Sequence, residues 1–289
     1  MNGIKQINEC IRFIEEHLEK KLEIQEIADL FGTSKFHFQR MFLMITGYTV
    51  AEYIRNRRLT MAAQELNTTK QKVIDVAYKY GYETPESFAK AFRNFHGITP
   101  TESKKPDTIL KAFPPLFFTI EVKGEQQMDY KILEKEAFQV VGKSINVTKK
   151  DGENLEKIPA YWTEINTSET GKTLARHAST LGMLGICMDF TMDLEAFTYF
   201  IGIEKGKDQI DIELEERTIP ASTWAVFNVE GSMPNAIQKA WQTIFTEWLP
   251  ATGYEHAGTP EMEVYPPSEL DVKNEKYRTE IWLPIRKRG

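Results

Sequence analysis

Ile27-Ala28-Asp29-Leu30-Phe31-Gly32, followed after a turn by Phe38-Gln39-Arg40-Met41-Phe42, is answered about 50 residues on by Val76-Ala77-Tyr78-Lys79-Tyr80-Gly81 and Phe88-Ala89-Lys90-Ala91-Phe92. In each copy an apolar-Ala pair packs a first short helix, a Gly permits the left-handed turn, and Phe-x-x-x-Phe gives a second helix one buried face. The opposite face of that second helix presents Arg40 in one copy and Lys90 in the other, at the same register. Two short helices held in this way fit a second helix to the major groove of double-stranded DNA.

The charge distribution agrees. The 289-residue chain has a net charge of −6, yet residues 35–105 hold 12 Lys or Arg against 6 Asp or Glu, and residues 1–34 net −3. Beyond residue 108 there are 20 basic and 28 acidic residues. Positive charge therefore gathers on the segment with the two helix-turn-helix patterns, as phosphate binding requires. At this length two domains are expected. Composition, 41% apolar and 27% charged, is that of a soluble globular protein, and no apolar run approaches the ~20 residues of a bilayer span. Glu15, Glu16 and Glu19 interrupt the N-terminal apolar pattern, which excludes a signal peptide reading; a cytoplasmic protein with no membrane partner is expected. Cys10 and Cys187 are far apart and read as small buried hydrophobes.

Helical periodicity runs from residue 4 to 105, beginning with Ile4, Ile7, Ile11, Ile14 and Leu18. Thr49-Val50-Ala51-Glu52 is a capping box that starts a long connecting helix to about Leu66. Ser34 and Thr84-Pro85 cap the two groove-facing helices, and Thr99-Pro100-Thr101-Glu102 starts a last helix. Lys104-Lys105-Pro106 and Phe113-Pro114-Pro115 end the pattern. The reading is a double helix-turn-helix domain over residues 1–108, a linker over 109–127 that can include a strand, and a second domain over 128–289. The second domain carries a weaker repeat of roughly 80 residues: a strand pair (130–141; 212–229), a Trp-bearing helix (158–165; 236–248) and further strands (181–203; 261–285). Each helix follows what reads as a hairpin. The fold class is multi-domain, an all-α domain followed by an antiparallel α+β domain with pseudo-twofold symmetry.

Ser34-Lys35-Phe36-His37-Phe38-Gln39-Arg40-Met41-Phe42, read with Tyr53-Ile54-Arg55-Asn56-Arg57-Arg58-Leu59 and Gly81-Tyr82 through Pro100, closely resembles the AraC/XylS family of transcription regulators in its Rob/MarA-like branch. Ile158-Pro159-Ala160-Tyr161-Trp162, residues 197–202, Glu247-Trp248-Leu249-Pro250 with Gly253-Tyr254, and Glu263-Val264-Tyr265 are similar to the GyrI-like effector-binding domain. The resemblance implies a bacterial one-component regulator. Its expected partners are double-stranded promoter DNA, RNA polymerase and a small amphipathic cationic effector, with no cofactor.

On the first recognition helix Phe36, Gln39 and Arg40 share a face: Arg40 can donate two bonds to guanine, Gln39 can pair with adenine or a phosphate, and Phe36 can press on thymine methyls. The family has Trp where this chain has Phe36. On the second helix the resemblance points to Pro85, Glu86, Ser87, Ala89 and Lys90, and the chain departs from the family there. Lys90 lacks the planar fork of Arg, so this helix is expected to anchor more than to specify. Arg55, Arg57 and Arg58 on the connecting helix can support the phosphate backbone or pair with an acid between subdomains.

In the second domain strand alternation puts Glu261, Glu263 and Tyr265 on one face, Glu280 with Trp282, and Phe197 with Tyr199. Carboxylates interleaved with aromatic rings suit a flat apolar cation. The resemblance favours Glu263 as the floor of such a pocket, with Tyr265, Tyr199, Trp162, Trp224 and Phe197 around it and Tyr161 and Trp241 as further candidates. Glu261 and Glu280 are expected to face outward. Two alternatives stand beside the sensor: a small-molecule hydrolase using Glu263 with Tyr265 or Tyr199 as general base, and a ligand-free protein-interaction platform. Gly171-Lys172-Thr173 lacks the glycine of a phosphate loop, Gly182 and Gly185 make no dinucleotide fingerprint, and the five histidines have no metal spacing. No catalytic residue and no metal site are expected.

Overall fold

The computed structural model describes residues 2–105, 107–118, 129–149, 152–208 and 210–288. The contacts divide it into two compact units, residues 1–38 with 48–123, and residues 39–47 with 124–289.

In the first unit the elements are α1 (Asn2–Glu16), α2 (Ile24–Phe31), the start of α3 (Lys35–Thr46), α4 (Val50–Thr68), α5 (Val73–Lys79) and α6 (Pro85–His96). The turn glycines act as the sequence requires: Gly32 and Gly81 take φ of 70° and 79°, where a Cβ is strained. Glu52 N donates to Thr49 Oγ1 (3.1 Å) and Thr49 N donates to the Glu52 carboxylate (2.8 Å), the complete capping box. Thr84 Oγ1 accepts from Ser87 N at 3.1 Å, and Ser34 Oγ from His37 N at 3.3 Å. Leu59, Ala62, Ala63 and Leu66 of α4 close over Val76, Ala77, Phe88 and Phe92, forming the core of the second helix-turn-helix.

Two sequence expectations change. The second capping box forms, with Glu102 accepting from Thr99 N at 2.8 Å, but only a 3-10 turn, Glu102–Lys104, follows it. The stop at Pro106 leaves too few residues for a helix. Residues 107–118 contain no strand; they run extended along the first unit, where the Asn8 side chain bonds Phe118 N and O (3.0 and 2.8 Å) and the Phe113 ring meets Tyr48 and Tyr53 edge-on. Residues 119–127 of the expected linker lie outside the described residues.

The second unit is one antiparallel nine-stranded sheet with helices against it. Its strands are β1 (Tyr130–Lys135), β2 (Phe138–Thr148), β3 (Met183–Met188), β4 (Ala196–Glu204), β5 (Glu215–Ile219), β6 (Ser222–Glu230), β7 (Tyr254–His256), β8 (Glu261–Tyr265) and β9 (Arg278–Lys287). The order is β1-β6-β9-β8-β3-β4-β2-β5, symmetric about the β8·β3 pair, with β7 added on β9. This is the pseudo-twofold repeat. The two expected hairpins are absent, however: β1 pairs with β6 and β2 with β5. The register is continuous, Lys135 opposite Ser222 leading on to Phe138 opposite Ile219, so each segment is one bent strand that pairs with its symmetry mate. A two-residue gap of Glu136-Ala137 has no Gly or Asn for the primed turn that would fold β1 back on β2.

One sheet face is an apolar core of Val140, Leu184, Ile186, Phe200, Trp224, Met262 and Trp282. On the other lie α7 (Glu153–Thr167) and α8 (Glu169–His177) of the first repeat, and α9 (Asn235–Thr243) of the second, which continues through a π turn (Ile244–Trp248) into α10 (Leu249–Ala251). Between α7 and α9, over the middle of the sheet, is a cavity of about 950 Å³.

Candidate functional site: a carboxylate-floored cavity and two recognition helices

Strand β8 carries the cavity floor because alternate residues share a face: Glu261, Glu263 and Tyr265 point to the helices, Met262 and Val264 to the opposite core. Glu263 lies opposite Gly185 on one side and Ile281 on the other. Its Oε1 accepts from Trp241 Nε1 at 2.8 Å, and its Oε2 from the hydroxyls of Tyr199 and Tyr265, both at 3.0 Å. Trp162 Nε1 in turn donates to the Tyr199 oxygen at 2.8 Å, and its ring meets Tyr265 edge-on at 4.8 Å. Burial raises the Glu263 carboxyl above the usual carboxylate range, opposed by these donors, and it sends both tyrosines well above theirs. The result is a carboxylate with neutral donors only, open to an aromatic cavity.

Tyr199, Tyr265, Trp162 and Phe197 all line that cavity with Glu263; Trp224 does not. Trp224 is fully buried on the opposite sheet face, its ring against Trp282, because its strand position faces the other way. Tyr161 is buried in the α7 core, whereas Trp241 reaches the carboxylate. Gly185 is a residue the sequence treats only as failing a nucleotide pattern. A Cβ there would fall 2.3 Å from the Tyr199 hydroxyl, so its absence gives Tyr199 the room to reach Glu263. An isolated Gly inside an apolar strand is the signal that could have found it.

Glu261 does not face outward. It is 0% exposed, and its carboxylate receives Arg40 Nε at 2.7 Å and Arg40 Nη2, with His256 Nε2 at 3.0 Å. Burial pushes its pKa up, but Arg40 and His256 more than reverse this and hold it well below the usual range. The Arg40 guanidinium lies 5.3 Å and 5.2 Å from the Phe190 and Phe245 ring centroids, and Gln39 Nε2 donates to Met192 O at 3.0 Å. Arg40 and Gln39 are thus buried within the second unit, not presented to solvent as the sequence suggests, because the buried Glu261 offers a bidentate partner that alternation alone cannot reveal. Phe36, on the same helix, is half-buried.

On α6 the sequence reading of the outer face holds: Glu86, Ser87 and Lys90 are exposed while Phe88 and Phe92 are buried. Arg93, one turn past Lys90, is exposed too and adds a cation the sequence reading missed; its i+3 spacing was the available signal. On α4, Arg55 is exposed, whereas Arg57 takes the second of its two expected roles and pairs with an acid. Its Nε and Nη2 grip the Glu15 carboxylate at 2.9 and 2.8 Å and its Nη1 donates to Phe113 O, so it ties α1 and the 107–118 segment to α4. Arg58 donates to Leu18 O and Lys20 O at 2.8 and 2.7 Å. Among the described residues no cluster of His, Cys, Asp and Glu is placed to hold a metal, and no helix is long and apolar enough to cross a membrane.

Residues 128–286 match the GyrI-like small molecule binding domain, and residues 27–105 match a helix-turn-helix domain. The chain belongs to the AraC-type transcription regulators with a GyrI-like domain. It is 43% identical over 102 residues, 35% of its length, to the transcriptional activator AarP of Providencia stuartii, of which it covers 76%. It is 39% identical over 102 residues to the regulatory protein SoxS of Escherichia coli K12, covering 35% of this chain and 95% of SoxS. Among solved structures, SAV2435 bound to tetraphenylphosphonium is similar at 21% identity and a TM-score of 0.49, over 55% of this chain and 94% of that one. These matches are to transcription regulators and to a small-molecule binding domain, not to enzymes.

Proposed function

We propose that this regulator binds double-stranded promoter DNA through both recognition helices and senses a small amphipathic aromatic cation in the GyrI-like cavity. We place it in the cytoplasm with RNA polymerase as its further partner. The observation that carries the ligand class is Glu263: a carboxylate in an aromatic cavity whose hydrogen-bond donors are all neutral. A cation arriving there meets charge attraction and ring faces together, and a neutral analogue meets only the rings. On the DNA side, Phe36, Glu86, Ser87, Lys90 and Arg55 are the available contacts, with Arg93 added. Arg40 and Gln39 join them only after leaving their partners; a guanidinium chelating Glu261 cannot at the same time chelate a guanine.

The test is calorimetric titration of the full chain, wild type and Glu263→Gln, with benzyltriphenylphosphonium and the neutral triphenylphosphine oxide, recovering the ligand afterwards. Binding of intact phosphonium in preference to the oxide, lost in Glu263→Gln, is expected. Equal binding of both ligands, or a cation preference that survives Glu263→Gln, refutes the reading, and chemical turnover would replace it with the hydrolase.

A further inference from the structure

The cavity also holds a basic group. Lys149 follows β2 directly, its backbone fixed by a 2.8 Å bond from its N to Glu195 O. Its side chain lines the same cavity as Glu263, with Nζ enclosed, without a hydrogen-bond partner among the described residues, and 5.3 Å from the centroids of both Phe190 and Phe197. Two ring faces do not replace the three acceptors an ammonium group can use. The charged and titratable groups that face it are Arg40 from α3, Glu261 from β8 and the Cys187 thiol from β3. Glu261 is already taken by Arg40 and His256, and Cys187 is held protonated because burial raises its pKa. Glu263 accepts from Trp241, Tyr199 and Tyr265, and Lys149 is not among its partners. Among the described residues, Lys149 is therefore an enclosed amine with no hydrogen-bonded or directly paired acceptor.

We infer that Lys149 docks an acidic oxygen of the effector, so that the ligand carries a carboxylate or similar oxyanion in addition to its cation. This inference rests on the cavity being the ligand site and adds a second pole to it. An arriving anion supplies the acceptors that Nζ lacks, and the low-dielectric surroundings strengthen the pairing. Burial, followed by the Arg40 charge, lowers the Lys149 pKa to about 7, with Glu261 opposing. An anion pulls it up again, so binding takes up a proton. Affinity for an acidic ligand is then full below pH 7 and falls up to tenfold per pH unit above it.

The probes are (4-carboxybenzyl)triphenylphosphonium and its methyl ester, both permanent cations, titrated calorimetrically into the full chain at pH 6 and pH 8.5. The ratio of the two dissociation constants is the readout, because any titration of Glu263 affects both ligands alike. Wild type is expected to favour the acid at pH 6 by tenfold or more, with most of that preference gone at pH 8.5. Lys149→Met should bind the two equally at both pH values. Lys149→Arg, which stays protonated, should keep the acid preference and lose its pH dependence; this variant decides the matter if Lys149→Met does not fold. Equal binding by wild type, or an acid preference that survives Lys149→Met, overturns the role of Lys149 while leaving the cation reading intact. If neither compound binds, the cation reading falls and the docking role with it.

Discussion

Replacing Tyr265 by Phe takes away one hydroxyl and keeps the ring that packs against Trp162. The hydroxyl's bond is the 3.0 Å contact to Glu263 Oε2, where it stabilises the charged carboxylate against the protonated acid. Hydrogen bonds to charged groups are worth about 1.5–3 kcal/mol, and 1.36 kcal/mol corresponds to one pKa unit, so the carboxyl pKa should rise by roughly one to two units. It starts above the ordinary value already, since burial outweighs the donors. Cation binding needs the ionised form. Below the wild-type pKa the variant should therefore bind a permanent cation such as benzyltriphenylphosphonium about 10- to 100-fold more weakly, and above the variant's pKa the two proteins should bind alike. Calorimetric titrations from pH 5 to pH 9 measure this directly. A loss of the same size across the range would mean that Tyr265 shapes the cavity and does not tune the carboxylate; no loss at the acid end would refute the hydrogen-bond argument.

Glu261→Gln should cost about 3–5 kcal/mol of stability, because it leaves Arg40 buried with only a neutral acceptor, and adding Arg40→Met should recover most of it. Urea unfolding of the single and double variants gives the comparison; no recovery would mean the pair is not the source. The carboxyl of Glu261 is held below its unfolded pKa, so this stabilisation is present above about pH 4.5 and is lost as the pH falls through the folded value. Trp224→Ala should cost about 3–5 kcal/mol in the same assay with phosphonium affinity unchanged, since it packs on the sheet face away from the cavity; a tenfold affinity loss would contradict that placement. For DNA, Lys90→Ala should reduce the slope of log affinity against log salt by about 0.9, whereas Arg57→Ala should leave the slope unchanged and lower stability instead. A matching slope change in both would return Arg57 to the phosphate contacts.

The sequence alone determined where most helices of the helical half start and turn. Helix-turn-helix spacing, caps and turn glycines act over three or four residues, and side chains such as Thr49, Glu52 and Gly32 specify their local geometry whatever lies elsewhere. Glu263 and its neighbours Tyr199, Tyr265 and Trp162 were also legible, because strand alternation and family pattern place them on the same side. What only the tertiary structure decided depends on which distant segments meet. The pairing of β1 with β6 and β2 with β5 replaced two expected hairpins, and it could not be read from strands whose local signals suit either partner. Trp224 is equally aromatic on either sheet face, and only the register tells which face it takes. Arg57 and Arg40 look like DNA contacts until Glu15 and Glu261 are found beside them, 42 and 221 residues away in sequence. A charged side chain's role is set by its nearest counter-charge in space, and that distance is absent from a one-dimensional pattern.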